Sequence, residues 1–171
     1  MDSSNEIKTV IFPVAGLGSR FLPATKVVAK ELLPILNKPL IDYAMTEAIK
    51  AGIEKFIFVT SPEKQSIINY FKKNIKLENE LKDKNSDYLE LINNKLILED
   101  NLIEVIQDKP LGLGHAIWCA KDYISGPFAV ILPDDLIVSE LPCIKQLIDT
   151  HREYKCNVVA VQEVDENNIE K

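Results

Sequence analysis

Five short apolar runs alternate along this chain of 171 residues with segments whose apolar residues recur at helical spacing. The apolar runs predict strands over Thr9–Ala15, Lys55–Thr60, Ile103–Gln107, Phe128–Leu132 and Asn157–Glu163. The intervening segments predict helices over Leu40–Ile49, Pro62–Phe71, His115–Asp122 and Cys143–Tyr154. Strands that alternate with helices are joined by right-handed crossovers. The sequence therefore predicts an α/β fold with a doubly wound, mostly parallel sheet covered on both faces.

Length and charge narrow the possible classes of function. A chain of 171 residues can bury one compact core, so we expect a single domain over residues 1–171. It carries 20 Lys and Arg against 26 Asp and Glu, whereas general nucleic-acid binding needs a basic surplus. We find neither an apolar run long enough to span a membrane nor the pattern of a signal peptide at the start. We expect a cytoplasmic protein that binds neither nucleic acid nor membrane.

The composition changes between Lys72 and about Leu98, where Lys, Glu, Asp and Asn alternate with spaced leucines. Charged residues at this density are typical of a solvated face. The segment predicts helices inserted at the surface, and we assign it no chemistry.

A glycine-rich loop from Ala15 to Arg20 follows the first predicted strand. Its glycines, Gly16 and Gly18, would let backbone N–H groups approach a phosphate closely, and an arginine can hold two phosphate oxygens at once. The loop is not a dinucleotide fingerprint, because Phe21 stands where that motif requires its third glycine. A tight turn that only joins strand to helix is the alternative interpretation.

Two lysines, Lys26 and Lys30, come shortly after the glycine-rich loop. Either could reach a phosphate beside the loop as a point charge. A solvated surface lysine is the alternative for each of them.

Further polar residues follow the third and fourth predicted strands. The side chain of Gln107 can both donate to and accept from a base edge, and Gly112 would let a base lie against the backbone. Asp134 and Asp135 are suitable Mg²⁺ ligands if substrate phosphates supply the other oxygens, although an ordinary turn would also explain them. His115 is interpreted as a helix-start or packing residue rather than a general base. Because ligands of such sheets bind beyond the carboxyl ends of the strands, we expect these segments to meet the glycine-rich loop.

Taken in order, these segments closely resemble bacterial UTP:glucose-1-phosphate uridylyltransferases. The resemblance rests on Phe12 to Lys26, Lys30 to Pro34, Lys38 to Leu40, Gly112 to Ala116 and Leu132 to Asp135. It covers essentially the whole chain. It implies the Rossmann-like, glycosyltransferase-A-like fold of nucleotidyltransferases, and the transfer of UMP from UTP to glucose 1-phosphate with release of pyrophosphate.

The resemblance also implies roles for the residues at matching positions. The implied uracil-binding residues are Ala15, Gly16, Gln107 and Gly112. The implied phosphate-binding and catalytic residues are Arg20 and Lys30, with Lys26 as a further phosphate contact and Gly18 as a further substrate-binding residue. Asp134 is the implied ligand of Mg²⁺. UTP and glucose 1-phosphate are the implied substrates.

The chain departs from the family pattern at three places. Ser19 replaces the usual threonine and keeps the hydroxyl. Val28-Ala29 stands where the family has a residue followed by proline, and losing a proline should loosen the loop that presents Lys30. Family members also continue well beyond the position of Lys171, with a sugar-binding segment and a second acidic metal ligand. We therefore expect an incomplete domain that carries the UTP half of the site, and self-association into a homo-oligomer if a sheet edge is left unpaired.

Two alternatives remain open at this point. The chain could be a nucleotide-binding remnant without turnover, or a thymidylyltransferase that uses dTTP with the same sugar phosphate. The run from Pro13 to Gly18 lacks a Gly-Gly start, which favours uridylyl transfer over thymidylyl transfer.

Overall fold

The computed structural model describes residues 6–82, 86–93 and 101–165. The strands are β1 (Thr9–Pro13), β2 (Pro34–Ile35), β3 (Lys38–Pro39), β4 (Lys55–Thr60), β5 (Leu102–Ile106) and β6 (Ala129–Val130). The α-helices are α1 (Leu40–Lys50), α2 (Gln65–Phe71), α3 (Ile75–Lys82), α4 (Ser86–Asn93), α5 (Leu113–Cys119) and α6 (Cys143–Tyr154). Four strands form one sheet in the order β5-β4-β1-β6, and each neighbouring pair is parallel. Strands β2 and β3 form a separate antiparallel hairpin. The predicted α/β fold with a parallel sheet is confirmed.

Helices cover both faces of the sheet. Successive residues of a strand point to opposite faces, so each central strand contributes side chains to both sides. Phe12 and Phe58 stack with ring centroids 5.0 Å apart on the face that packs against α1, α2 and α6. Ile11 and Ile57 point to the other face and pack against α5. All four side chains are completely buried. This burial explains why the central strands read as continuous apolar runs rather than as an alternating pattern.

Helix α1 begins at Leu40, as its apolar spacing predicts, and ends one residue beyond the predicted Ile49. It buries Leu40, Ile41, Ala44, Met45 and Ala48 along one side. The helix ends before Gly52, whose φ of 87° is a left-handed conformation that glycine adopts without strain. The predicted C-terminal glycine is confirmed.

The charged segment that follows α2 is helical and solvated where the structure describes it. Helix α3 buries none of its residues, and in α4 Tyr88 and Leu91 are exposed. Residues 83–85 and 94–100 lie outside the described part. Within the described ranges, no helix combines the length and the apolar character needed to cross a membrane.

The predicted strand over Asn157–Glu163 is wrong. This segment follows α6 without regular structure, and Val159 and Val161 are 77% and 91% exposed. β-Branched residues favour strands only where a neighbouring strand and a packed face receive them. No such neighbour pairs with this segment among the described residues.

The fourth predicted strand is also shorter than Phe128–Leu132, because β6 pairs with β1 only at Ala129 and Val130.

Replacing Phe58 with alanine should destabilise the fold by about 3–5 kcal/mol, because it removes a fully buried ring that contacts Phe12 and Phe71. The matched control is Phe21→Ala, since Phe21 is 47% exposed and its loss should change stability by about 0.5 kcal/mol or less. Urea denaturation followed by circular dichroism measures both. Equal effects of the two substitutions would contradict the assignment of the core.

Candidate functional site

The residues singled out from the sequence meet at one edge of the sheet. Because the four strands are parallel, their carboxyl ends lie at the same edge. The segments that leave this edge are residues 14–33 after β1, 61–64 after β4, 107–115 after β5 and 131–135 after β6. Every predicted site residue lies on the segments that follow β1, β5 and β6. The sequence predicts no site residue on the segment that follows β4.

The glycine-rich loop leaves β1 in extended contact with β4 and then turns sharply. The N–H of Val14 donates to the carbonyl of Val59 at 2.8 Å, and Ala15 is buried. Gly18 has φ of 67°, and a Cβ placed on it would lie 3.1 Å from the Cγ2 of Thr25 and 3.3 Å from the Cβ of Lys30. Gly18 is therefore required by the local structure itself.

Gly16 differs from Gly18 in its surroundings. It is exposed, and a Cβ placed on it would meet no described atom within 4 Å. The fold alone gives no steric reason for a glycine there. The open space beside Gly16 is what close approach of a ligand to the backbone requires.

Lys30 and Asp134 form an ion pair across the site, although 104 positions separate them in the sequence. The Nζ of Lys30 lies 2.6 Å from Oδ2 of Asp134, and their side chains are 16% and 26% exposed. Burial alone would raise the pKa of Asp134, but the hydrogen bond and charge of Lys30, together with the charge of Arg20, lower that pKa below its usual range. Asp134 is consequently ionised at neutral pH, and Arg20, Lys30 and Asp134 share one electrostatic environment.

Gln107 lies at the end of β5 with its amide group fixed. The backbone N–H of Gln107 donates to the carbonyl of Thr60 at 2.8 Å, which continues the pairing of β5 with β4. Its side-chain Nε2 lies 3.2 Å from the carbonyl oxygen of Gly112 and 2.8 Å from Nδ1 of His115. Gly112 has φ of 95°, so a glycine is favoured there by the backbone as well.

Lys26 is a predicted site residue whose side chain the structure does not bring to the other predicted phosphate-binding residues. It ends the 3-10 turn Ala24–Lys26 and is exposed. Its side chain makes no hydrogen bond or ion pair with Arg20, Lys30 or Asp134 in the described contacts. The sequence motif placed Lys26 near the phosphate-binding residues, but the turn directs the side chain to solvent.

The residues around Asp134 offer little to a metal ion by themselves. No group of three or more His, Cys, Asp or Glu side chains in the described ranges could hold one. Asp134 supplies an ionised carboxylate, and Asp135 beside it is exposed. Mg²⁺ commonly binds proteins through one or two carboxylates while substrate phosphates and water complete its shell. The donor set at Asp134 fits that kind of site.

A buried ion pair beneath the loop was not predicted from the sequence. The Nζ of Lys64 lies 2.9 Å from Oε2 and 3.2 Å from Oε1 of Glu31, and it also donates to the carbonyl of Val14 at 2.8 Å. Glu31 is fully buried and Lys64 is 9% exposed. These contacts join the loop after β1, the 3-10 turn Lys30–Leu32 and the 3-10 turn Pro62–Lys64. The only available signal was an acidic residue inside the apolar stretch before Pro34, and it did not identify the partner.

Burial dominates the electrostatics of Glu31. It raises the pKa of the Glu31 carboxyl, and the charge and hydrogen bonds of Lys64 offset only part of that rise. A carboxylate in this position is costly unless its partner is present. The pair therefore fixes the directions of two neighbouring side chains. Glu31 points inward to Lys64, and the adjacent Lys30 points to Asp134.

Comparison with known proteins identifies the family to which the chain belongs. A family model described as nucleotidyl transferase matches residues 8–170. The chain is 47% identical over 168 residues to a UTP–glucose-1-phosphate uridylyltransferase of Staphylococcus epidermidis, covering 97% of this chain and 58% of that protein. It is 41% identical over 168 residues to the Bacillus subtilis protein of the same name, covering 97% and 57%. The chain thus spans little more than half the length of these relatives.

A solved structure described as UTP-bound UGPase from Acinetobacter baumannii has the same fold. It superimposes with a TM-score of 0.81 at 42% identity, covering 87% of this chain and 54% of that one. This similarity confirms the predicted nucleotidyltransferase fold.

Replacing Lys64 with methionine should destabilise the fold by about 3–5 kcal/mol, because Glu31 is left buried without its partner. The double variant Glu31→Leu/Lys64→Met should recover most of that loss, since no buried charge remains. Urea denaturation of both variants measures the difference.

The loss in Lys64→Met should also depend on pH. A carboxyl whose folded-state pKa is raised favours folding below its unfolded pKa and loses that contribution as the pH rises through the folded value. Removing Lys64 raises the pKa of Glu31 further, so the loss should be smaller at about pH 5 than at about pH 8. An unchanged loss across this range, or no recovery in the double variant, would contradict the account of the pair.

Proposed function

This chain belongs to the nucleotidyl transferase family, and on that premise we propose that it forms the UTP-binding part of a UTP:glucose-1-phosphate uridylyltransferase. The observation that carries the proposal is the Lys30–Asp134 ion pair beside Arg20 and the open Gly16. It puts cationic side chains, a carboxylate and accessible backbone together at the sheet edge where such folds bind ligands. The relatives named for this activity support the choice of nucleotide.

Uracil would lie between the loop after β1 and the segment after β5. Strand β4 lies between β1 and β5 in the sheet, so the segments that follow β1 and β5 lie on either side of the end of β4. Ala15 and Gly16 would border the base on one side, and Gln107 and Gly112 on the other. The exposed backbone at Gly16 and Gly112 is compatible with such close approach.

Arg20 and Lys30 would hold the triphosphate. Arg20 is exposed in the 3-10 turn Ser19–Phe21, and Lys30 is held at Asp134. Guanidinium and ammonium groups bind phosphate oxygens through charge-assisted hydrogen bonds. Gly18 would act indirectly, because its lack of a side chain leaves room for Lys30. Lys26 would contact a phosphate only if its side chain turned from solvent.

Asp134 would hold Mg²⁺ together with phosphate oxygens of UTP. The ion would neutralise charge that develops on those oxygens during transfer. Its binding requires an ionised carboxylate, which the lowered pKa of Asp134 provides.

The reaction needs no nucleophile from the protein. An oxygen of the sugar phosphate attacks the α-phosphorus of UTP, and the bond from that phosphorus to the bridging oxygen breaks in line, so that pyrophosphate leaves. The residues of this chain would position the triphosphate and stabilise its charge through Arg20 and Lys30. UTP and sugar phosphates are intracellular metabolites, so the proposal also places the protein in the cytoplasm.

Lys30→Met should weaken UTP binding by about 10- to 100-fold, because it removes a charge-assisted hydrogen bond to phosphate. Lys50→Met is the matched control, since Lys50 is exposed at the carboxyl end of α1, away from the site. Calorimetric titration of UTP in the presence of Mg²⁺ measures both. Equal affinities of the two variants would contradict the role of Lys30.

Gly16→Ala should leave the stability of the chain unchanged and weaken UTP binding. The added methyl group meets no described atom within 4 Å, so any loss of affinity comes from a clash with the bound nucleotide. Thermal denaturation and UTP titration on the same sample separate the two effects. Unchanged UTP affinity in this variant would show that the nucleotide does not approach the backbone at Gly16.

Competition between UTP and dTTP separates the proposed function from thymidylyl transfer. The proposal expects dTTP at equal concentration to displace only a minor fraction of bound UTP. Displacement of half or more would favour the thymidylyltransferase.

A further inference from the structure

The amide group of Gln107 uses both of its hydrogens inside the protein. A glutamine amide carries two N–H donors on Nε2 and one carbonyl acceptor, Oε1. Nε2 is within hydrogen-bond distance of two atoms, the carbonyl oxygen of Gly112 at 3.2 Å and Nδ1 of His115 at 2.8 Å. No described residue donates a hydrogen bond to Oε1. The side chain therefore offers a ligand an acceptor and no donor.

The donor and acceptor roles of Gly112 and His115 identify which amide atom of Gln107 faces them. A backbone carbonyl can only accept, so the group that faces the carbonyl of Gly112 must be the NH₂ of Gln107. The second amide hydrogen then points to Nδ1 of His115, which must accept it. His115 consequently carries its proton on Nε2 and presents an unprotonated Nδ1 to Gln107.

His115 is held in place on the first turn of α5. It is half-buried, and both of its ring nitrogens lie within 4 Å of the Sγ of Cys119, at 3.8 Å and 3.9 Å. Its neighbour Ala116 is buried against the sheet, and the N–H of Ala116 donates to the carbonyl of Gly112 at 3.1 Å. The same carbonyl therefore receives hydrogen bonds from the helix and from Gln107. Gly112, His115 and Gln107 form one connected unit.

We propose that His115 is a positioning residue that, together with the carbonyl of Gly112, fixes the amide of Gln107 so that only its oxygen is presented to the base. This inference rests on the proposed binding of UTP. The ring N3 of uracil carries a hydrogen and can donate to Oε1 of Gln107. The ring N3 of cytosine carries a lone pair and would face that oxygen with a second acceptor.

This one contact selects uracil over cytosine and does not distinguish uracil from thymine, because thymine carries the same N3–H. A site built around a buried polar group rejects a base that leaves the group unpaired. Without His115, one amide hydrogen of Gln107 is released. The carbonyl of Gly112 alone then holds the orientation of the amide, so a turned amide that presents a donor to cytosine costs less free energy than in the wild type.

The experiment titrates UTP and CTP separately into the full chain and into two variants. His115→Leu removes the acceptor at Nδ1, whereas His115→Asn keeps an acceptor, because the asparagine oxygen lies about where Nδ1 lies in histidine. The wild type and His115→Asn should bind UTP about 100-fold or more tightly than CTP. In His115→Leu this preference should fall by about 10-fold or more. A role of His115 in packing alone would lower both affinities together and leave their ratio unchanged, which would overturn the proposal.

A second measurement examines the same contact without any nucleotide. Nitrogen-15 NMR of the free chain should show His115 with its proton on Nε2 and a protected NH₂ group on Gln107. Protonation on Nδ1 would overturn the proposal whatever the chain binds. The expected tautomer with no UTP binding would instead reject the proposed function and, with it, the role in base selection, so the two failures are distinguishable.

Discussion

The buried ion pair between Glu31 and Lys64 holds together the segments from which the site is built. Lys64 uses its donors on both oxygens of Glu31 and on the carbonyl of Val14, the residue before Ala15 and Gly16. The charged group therefore couples the end of β1 to the turn that carries Lys30. An apolar contact could fill the same space, but it would not fix which way residues 30 and 31 point. With Glu31 directed inward, Lys30 is directed across the site to Asp134.

The second requirement is the parallel sheet itself. A parallel arrangement places the ends of β1, β4, β5 and β6 at one edge, so residues from distant parts of the sequence come within contact distance. The edge carries cationic groups at Arg20 and Lys30 on one side and the fixed amide of Gln107 on the other. Phosphates and a base need different surroundings, so the proposal places the phosphates beside Arg20 and Lys30 and the base beside Gln107. The proposed position of UTP follows from that division.

The sequence predicts the sheet, the principal helices and the grouping of the site, but not its internal contacts. Buried strands and α1 carry strong signals, because Phe12, Phe58 and Met45 contribute to one continuous core. The predicted strand over Asn157–Glu163 failed because β-branched composition cannot show whether a neighbouring strand is present. The ion pair of Glu31 with Lys64 was missed because a single sequence does not show which buried charges meet. The sequence indicates a helix-start or packing residue at His115, and only the distance between His115 and Gln107 indicates more.

The most direct test of the account is a titration of the nitrogen-15-labelled chain with UTP and Mg²⁺, followed residue by residue by NMR. The central claim is that the nucleotide lies across the carboxyl ends of β1, β4 and β5. The account predicts the largest shift changes at Gly16, Lys30 and Gln107, with the backbone of α3 and α4 unaffected. Changes centred elsewhere, or none at saturating UTP, would contradict it.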